Sequence, residues 1–127
     1  DLNISKIFEI KGEKFFREFE EKTTLDILKK KNVVISLGGG AFLNRNIRTE
    51  VLKNHLSFWL KNDAKIIINR IIKNPKRPIA FNSTKNELLN LIKKRSKIYS
   101  KSMYNIVCDK LTKKEIAKKV IDIYETK

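Results

Sequence analysis

Two kinds of hydrophobic pattern alternate along the chain. In the first, apolar residues recur every three to four positions, as on one face of a helix. The clearest case follows Asp63, where Ala64, Ile67, Ile68, Ile71 and Ile72 keep an i, i+3, i+4, i+7 spacing behind a residue suited to an N-cap. Leu88, Leu89, Ile92 and Tyr99 predict a second helix. Ile116, Ala117, Val120, Ile121 and Tyr124 predict a third, opened by the capping box Thr112-Lys-Lys-Glu115. Ile47, Val51 and Leu52 suit a short one. Near the start, Ser5 reads as the N-cap of a short turn carrying Ile7 and Phe8. Gly12 then separates that turn from a longer helix reaching about Lys30, with Phe15, Phe16, Phe19, Leu25 and Leu28 near one face.

The second pattern is a short run that is apolar almost throughout. Asn32–Leu37 (NVVISL), Leu56–Leu60 (LSFWL) and Asn105–Cys108 (NIVC) have the character of strands covered on both faces in a parallel sheet. Strands alternating with amphipathic helices predict an α/β fold, a three-layer sandwich around a parallel sheet. Ligands in such folds sit beyond the C-terminal ends of the strands. Residues 73–84 (KNPKRPIAFNST) break every period with two prolines and small polar residues, and read as a mobile loop.

Composition narrows the class. With 127 residues, 41% of them hydrophobic, the chain suffices for one domain with its own core. A single cysteine, Cys108, and a single histidine, His55, exclude a disulfide framework and the common Cys/His zinc modules. Cys108 reads as a small buried hydrophobe, His55 as a surface loop residue and Trp59 as core. No apolar run approaches the roughly 18 residues of a membrane span, so the expected setting is the cytoplasm, with no membrane partner. The chain starts at Asp1 without a methionine and with structured-looking sequence at once, which sets the expectation that an N-terminal segment has been cut away.

The formal charge of +15 suggests nucleic acid, but the pattern does not support it. The excess is 23 Lys against 6 Arg, accompanied by many Ile and Asn and few Ala and Gly, as a global compositional bias produces. Aromatic and basic residues are not interleaved in the way that stacks bases, so no nucleic-acid partner is expected. Against the lysine background each arginine gains weight, because a planar guanidinium grips carboxylate or phosphate bidentately where an ammonium does not.

Three features carry candidate chemistry. Gly38-Gly39-Gly40, directly after a strand, lets the backbone approach a ligand and present N–H groups to an anion or hydroxyl; a triple glycine alone is equally a tight strand-to-helix turn. Arg17 and Arg95, on different helices, could clamp one carboxylate, although isolated helical arginines are more often simply solvated. Arg77-Pro78, in the proline-containing loop, suits a lid that brings a cation over phosphate charge, although an exposed loop charge is the commoner case.

Taken in order, Ile7-Phe8, Gly12-Glu13, Phe16-Arg17-Glu18-Phe19-Glu20, Ser36-Leu37-Gly38-Gly39-Gly40-Ala41, Arg77-Pro78 and Arg95 with Tyr99 closely resemble the shikimate kinase family over the whole chain. The resemblance implies a P-loop, nucleoside-monophosphate-kinase-like fold. It also implies transfer of the γ-phosphoryl of ATP, with Mg²⁺, to the 3-hydroxyl of shikimate, by a monomer. By the same resemblance Arg17 and Arg95 bind the shikimate carboxylate, Gly39 contacts shikimate through its backbone, and Gly38 and Gly40 complete that turn. Phe8 and Phe16 wall the pocket, Arg77 is the lid arginine reaching the ATP phosphates, and Arg70 lies near the adenine. The family's opening strand with its P-loop GxxxxGK[ST], and the next strand with its acidic pair, have no counterpart here. The expectation is therefore one partial domain spanning 1–127, with a lid at 73–84. The absent first strand would lie between Asn32–Leu37 and Leu56–Leu60, leaving apolar sheet edges and marginal stability. Two alternatives stand beside this reading: another P-loop small-molecule kinase, such as a gluconate kinase, and a non-catalytic basic binding module.

Overall fold

The computed structural model describes residues 3–73 and 84–127. Asn3, not Ser5, opens the first helix: its Oδ1 accepts from the Lys6 N–H at 2.8 Å, and Ser5 falls inside the turn so capped. The expected short turn is an eight-residue helix, α1 (Ile4–Lys11). Gly12 then sits at φ 88°, a conformation that costs little only without a Cβ, and it redirects the chain into α2 (Glu13–Leu28). Of the apolar face expected on α2, only Leu28 is buried. Phe15 and Phe19 stack on each other, centroids 6.5 Å apart, while remaining 46% and 54% exposed.

The largest departure concerns Asn32–Leu37, which forms no strand and pairs with none among the described residues. Asn32 adopts φ 58°, a left-handed conformation that asparagine tolerates but a strand does not contain. Beyond it the chain still alternates: Ile35 and Leu37 pack on the core, while Val34 is 98% exposed. The side-chain pattern of a strand is thus present without the backbone ladder that defines one. After the glycines come a single 3₁₀ turn (Ala41–Leu43) and α3 (Arg45–Asn54), capped by Asn44, whose Oδ1 accepts from the Ile47 N–H.

The sheet among the described residues has two parallel strands rather than three, β1 (Phe58–Lys61) and β2 (Tyr104–Val107), in register from Phe58 opposite Tyr104 to Lys61 opposite Val107. Between them run α4 (Ala64–Ile72), capped by Asp63, and α5 (Lys85–Tyr99), capped by Thr84 and Glu87 in a capping box that the sequence reading passed over. The Asp63 N–H also donates to Asp109 Oδ1 at 2.6 Å, tying the end of β1 to the chain beyond β2. The capping box at Thr112 and Glu115 opens α6 (Lys113–Glu125) as expected.

Two clusters hold these elements. Leu28, Ala41, Phe42, Ile47 and Val51 form one, with Leu25, Ile35, Leu37, Ile98 and Tyr99 packed against it; Ile68, Ile71 and Leu88 form the other. Because the first cluster joins α2, the 3₁₀ turn, α3 and the end of α5, it places the glycine turn where α2 and α5 can both reach it. Elsewhere apolar surface is left uncovered. Val107, Ile121 and Tyr124 are 59%, 52% and 64% exposed, and α6 buries none of its residues completely. Trp59, expected in the core, is half-buried, and so is His55, which ends α3. No helix among the described residues is long and apolar enough to cross a membrane.

Candidate functional site

Gly38, Gly39 and Gly40 follow Asn32–Leu37, and none has the positive φ that would require glycine; Gly40 sits at φ −90°, ψ −16°. What excludes a side chain is space. A Cβ on Gly40 would stand 2.7 Å from Arg17 Cζ and 2.8 Å from its Nη2, with Nη1 nearer still. On Gly39 it would stand 2.9 Å from Arg95 Nη1 and 3.5 Å from the Tyr99 hydroxyl, and on Gly38 3.5 Å from Glu20 Oε2. Each glycine thus faces a polar side chain of its own, from α2 or from α5. The two arginines singled out in the sequence converge on neighbouring residues of one turn.

Arg17 is held from three directions. Its Nη1 donates to Glu20 Oε1 at 2.8 Å, an i,i+3 pair on α2 with side chains 29% and 15% exposed. Its Cζ lies 5.3 Å from the centroid of the Phe16 ring and 5.9 Å from that of Phe8, within cation–π range of both. Those two rings meet at 4.8 Å, which is how α1 and α2 together form an aromatic wall behind the guanidinium. Arg95 is held less completely. Its Nε is shut off from solvent and has no hydrogen-bond partner among the described residues, a donor that a bound anion could help to satisfy.

The sequence reading assigned no role to Glu20 or Tyr99, although both stood in the quoted motifs. The available signal was spacing: Glu20 lies three residues after Arg17, and Tyr99 four after Arg95, so each shares a helix face with its arginine. The Tyr99 hydroxyl donates to the Gly39 carbonyl, and its ring packs on Trp59 of β1, centroids 6.0 Å apart.

The other candidates lie apart from this constellation. Arg70 is exposed in the last turn of α4, near enough to Cys108 to influence its ionisation. Arg77 and most of the expected lid, residues 74–83, lie outside the described residues. Arg48 serves structure, its Nη1 donating to the carbonyls of Phe42 and Leu43 at 3.1 and 3.0 Å. Cys108 is buried as expected. Burial and the neighbouring Asp109 push its thiol pKa up, so it is a poor nucleophile. Open grooves of about 490 Å³ each border Trp59 with Ile92 and Ile106 with Ile123, and neither takes in Arg17 or Arg95.

The described residues offer no group of three or more His, Cys, Asp or Glu side chains able to hold a metal ion. The only glycines besides the triplet is Gly12, so the 127 residues contain no P-loop. Among the described residues nothing fits the Mg²⁺ of a nucleotide, whereas Arg17 and Arg95 have the charge and geometry to meet an anionic group.

The sequence and the fold match those of known proteins. The family model described as Shikimate kinase matches residues 1–125. A shikimate kinase of Bartonella quintana (strain Toulouse) is 35% identical over 121 residues, covering 94% of this chain and 58% of that protein. One from Bacillus subtilis (strain 168) is 33% identical over 130 residues, covering 96% and 67%. Among solved structures, the shikimate kinase of Aquifex aeolicus superposes with a TM-score of 0.81 at 28% identity, covering 98% of this chain and 74% of that one. The Acinetobacter baumannii enzyme in complex with shikimate superposes at 0.90 with 23% identity, covering 98% and 70%, which shows the fold. The chain therefore spans little more than half the length of the Bartonella relative and about three quarters of the Aquifex one. With its P-loop-kinase architecture and a match across nearly all of its length, the chain belongs to the shikimate kinase family.

Proposed function

We propose that this chain supplies the substrate half of a shikimate kinase, the whole protein phosphorylating the 3-hydroxyl of shikimate at the expense of ATP with Mg²⁺. The observation that carries the reading is the convergence of Arg17 from α2 and Arg95 from α5 on the adjacent glycines of one turn. A carboxylate set against that turn meets one guanidinium from α2 and one from α5, and the backbone N–H groups of Gly39 and Gly40 have no acceptor among the described residues. Phe8 and Phe16 keep water from one flank and hold the Arg17 plane. Holding shikimate by its carboxylate fixes the ring, which is most of what a phosphoryl-transfer enzyme needs from its acceptor site. ATP supplies the phosphoryl group. In this reading Arg77 is the lid cation that neutralises charge on it, Arg70 lies toward the adenine, and residues 73–84 form the lid within one domain.

The test is calorimetric titration of the 127-residue chain with shikimate, repeated with Arg17→Lys and Arg95→Lys. A lysine keeps the charge but loses the two-pronged geometry, so each substitution should weaken binding roughly tenfold. Gluconate, also a carboxylate but acyclic, should bind much more weakly. Equal affinity for the wild type and both variants would dispose of the clamp.

A further inference from the structure

The acceptors of the glycine turn are all occupied while its donors are not. The Gly38 carbonyl accepts from the Ala41 N–H at 3.0 Å and the Gly40 carbonyl from the Leu43 N–H at 3.2 Å, both as part of the 3₁₀ turn. That leaves the Gly39 carbonyl, and the hydroxyl of Tyr99, sixty residues away in sequence, donates to it. None of the described residues accepts from the N–H of Gly39 or Gly40. Were the Gly39 carbonyl free, it could swing toward the ligand and set a partial negative charge against a carboxylate. Because C=O and N–H of a trans peptide point in opposite directions, a carbonyl fixed on α5 turns the Gly40 N–H away from α5.

We propose that Tyr99 is a positioning residue: its hydroxyl engages the last open acceptor of the Gly38–Gly40 turn, so that the turn offers only donors to a bound carboxylate or hydroxyl. The surroundings suit such a device. Tyr99 is the last residue of α5, one turn beyond Arg95, so a single helix end delivers a guanidinium and a hydroxyl to the same glycine. Its ring is supported by Trp59 on one side and packs against the cluster built on Leu28, Phe42 and Ile47. The oxygen is therefore carried by a well-packed ring rather than by a free side chain.

The ligand in this inference rests on the shikimate reading above; the effect on the turn does not. Tyr99→Phe removes only the hydroxyl and keeps the ring on Trp59. The chain has four glycines, so their amide cross-peaks can be followed individually by NMR. In Tyr99→Phe the Gly39 and Gly40 peaks should shift or broaden while Gly12 stays, and shikimate should bind about 3- to 10-fold more weakly by calorimetry. Trp59→Phe, which loosens the ring but keeps the hydroxyl, should move the same two peaks by less. Unmoved Gly39 and Gly40 peaks in Tyr99→Phe would overturn the proposal, and so would moved peaks with affinity unchanged, since the hydroxyl would then hold the turn without serving the ligand. If the wild type binds no shikimate, the substrate reading fails, and the glycine peaks alone decide whether Tyr99 orients the turn.

Discussion

Gly40→Ala separates space from backbone freedom as the reason for glycine at that position. At φ −90°, ψ −16° the backbone of Gly40 is one that alanine adopts without strain. The substitution also restricts the unfolded chain, which by itself stabilises by about 0.4–1 kcal/mol. The cost arises at Arg17. The new Cβ would lie 2.7 Å from Arg17 Cζ, so the guanidinium must withdraw until that separation reaches the 3.4 Å of an ordinary contact. Arginine is flexible and can do this, losing its 2.8 Å bond to Glu20, a net interaction of about 1–2 kcal/mol for a half-buried charged pair. The two effects partly cancel, leaving a loss of at most about 1.6 kcal/mol, so the thermal midpoint should fall by no more than about 8 °C. Binding has no such compensation. In the proposed site the displacement of Arg17 removes one charge-assisted contact to the carboxylate, worth about 1.5–3 kcal/mol, and shikimate should bind roughly 10- to 100-fold more weakly. Gly38→Ala is the control, because its Cβ meets Glu20 Oε2 at 3.5 Å, an ordinary contact, and affinity should stay within about threefold. Calorimetry and thermal melts of the three proteins decide the matter. A Gly40→Ala protein that binds shikimate like wild type, or melts more than 10 °C lower (about 2 kcal/mol), refutes the argument.

Other expectations follow from single features. Ile47 is fully buried where α3 meets the core, so Ile47→Ala should cost about 2–4 kcal/mol in urea unfolding. Val34 is 98% exposed, so Val34→Thr should change the stability of this chain by less than about 0.5 kcal/mol; a larger loss would mean that the segment is covered in solution. The backbone N–H of Thr112, and then its side chain, hold the Glu115 carboxyl below its ordinary value of 4.5. A group depressed on folding contributes stability above its unfolded value and loses that contribution as pH falls through the folded one. The start of α6 should therefore fray only below about pH 4.5, and Thr112→Val, which keeps the backbone N–H, should move the Glu115 midpoint, followed by carbon NMR, only part of the way back toward 4.5. Cys108, buried with a raised thiol pKa, should react with a disulfide reagent at pH 8 far more slowly in the native chain than in urea.

How much of this was legible in the sequence depends on what each feature needs as a partner. Helices satisfy their own backbones, so spacing alone sufficed for α3 and α5 and spacing with caps for α4 and α6, and the errors were local, such as Ser5 taken for Asn3 as the first cap. A strand needs a neighbour. Asn32–Leu37 carries the composition of a strand and even its alternation at Ile35 and Leu37, yet it forms no ladder among the described residues, and no intrinsic preference could have revealed that. The same distinction explains α6, whose apolar positions were read correctly although Ile121 and Tyr124 have little to pack against.

The site divides along a similar line. Arg17, Arg95 and the three glycines were legible because a guanidinium against a lysine background and a run of glycine are rare in themselves. Glu20 and Tyr99 are common residues: spacing puts each on the helix face of its arginine, but the Tyr99 contact with Gly39, sixty residues away, leaves no local mark. The structure adds a reason for the glycines that the residues alone left open. The turn could have been glycine-rich for its backbone angles, but none of the three has a positive φ, whereas a Cβ on Gly39 or Gly40 would collide with one of the two arginines. A tight strand-to-helix turn that needed only flexibility would not place charged groups within 3 Å of two successive missing side chains. The close approach of both guanidiniums therefore favours a turn shaped for an anion over one shaped only for chain reversal.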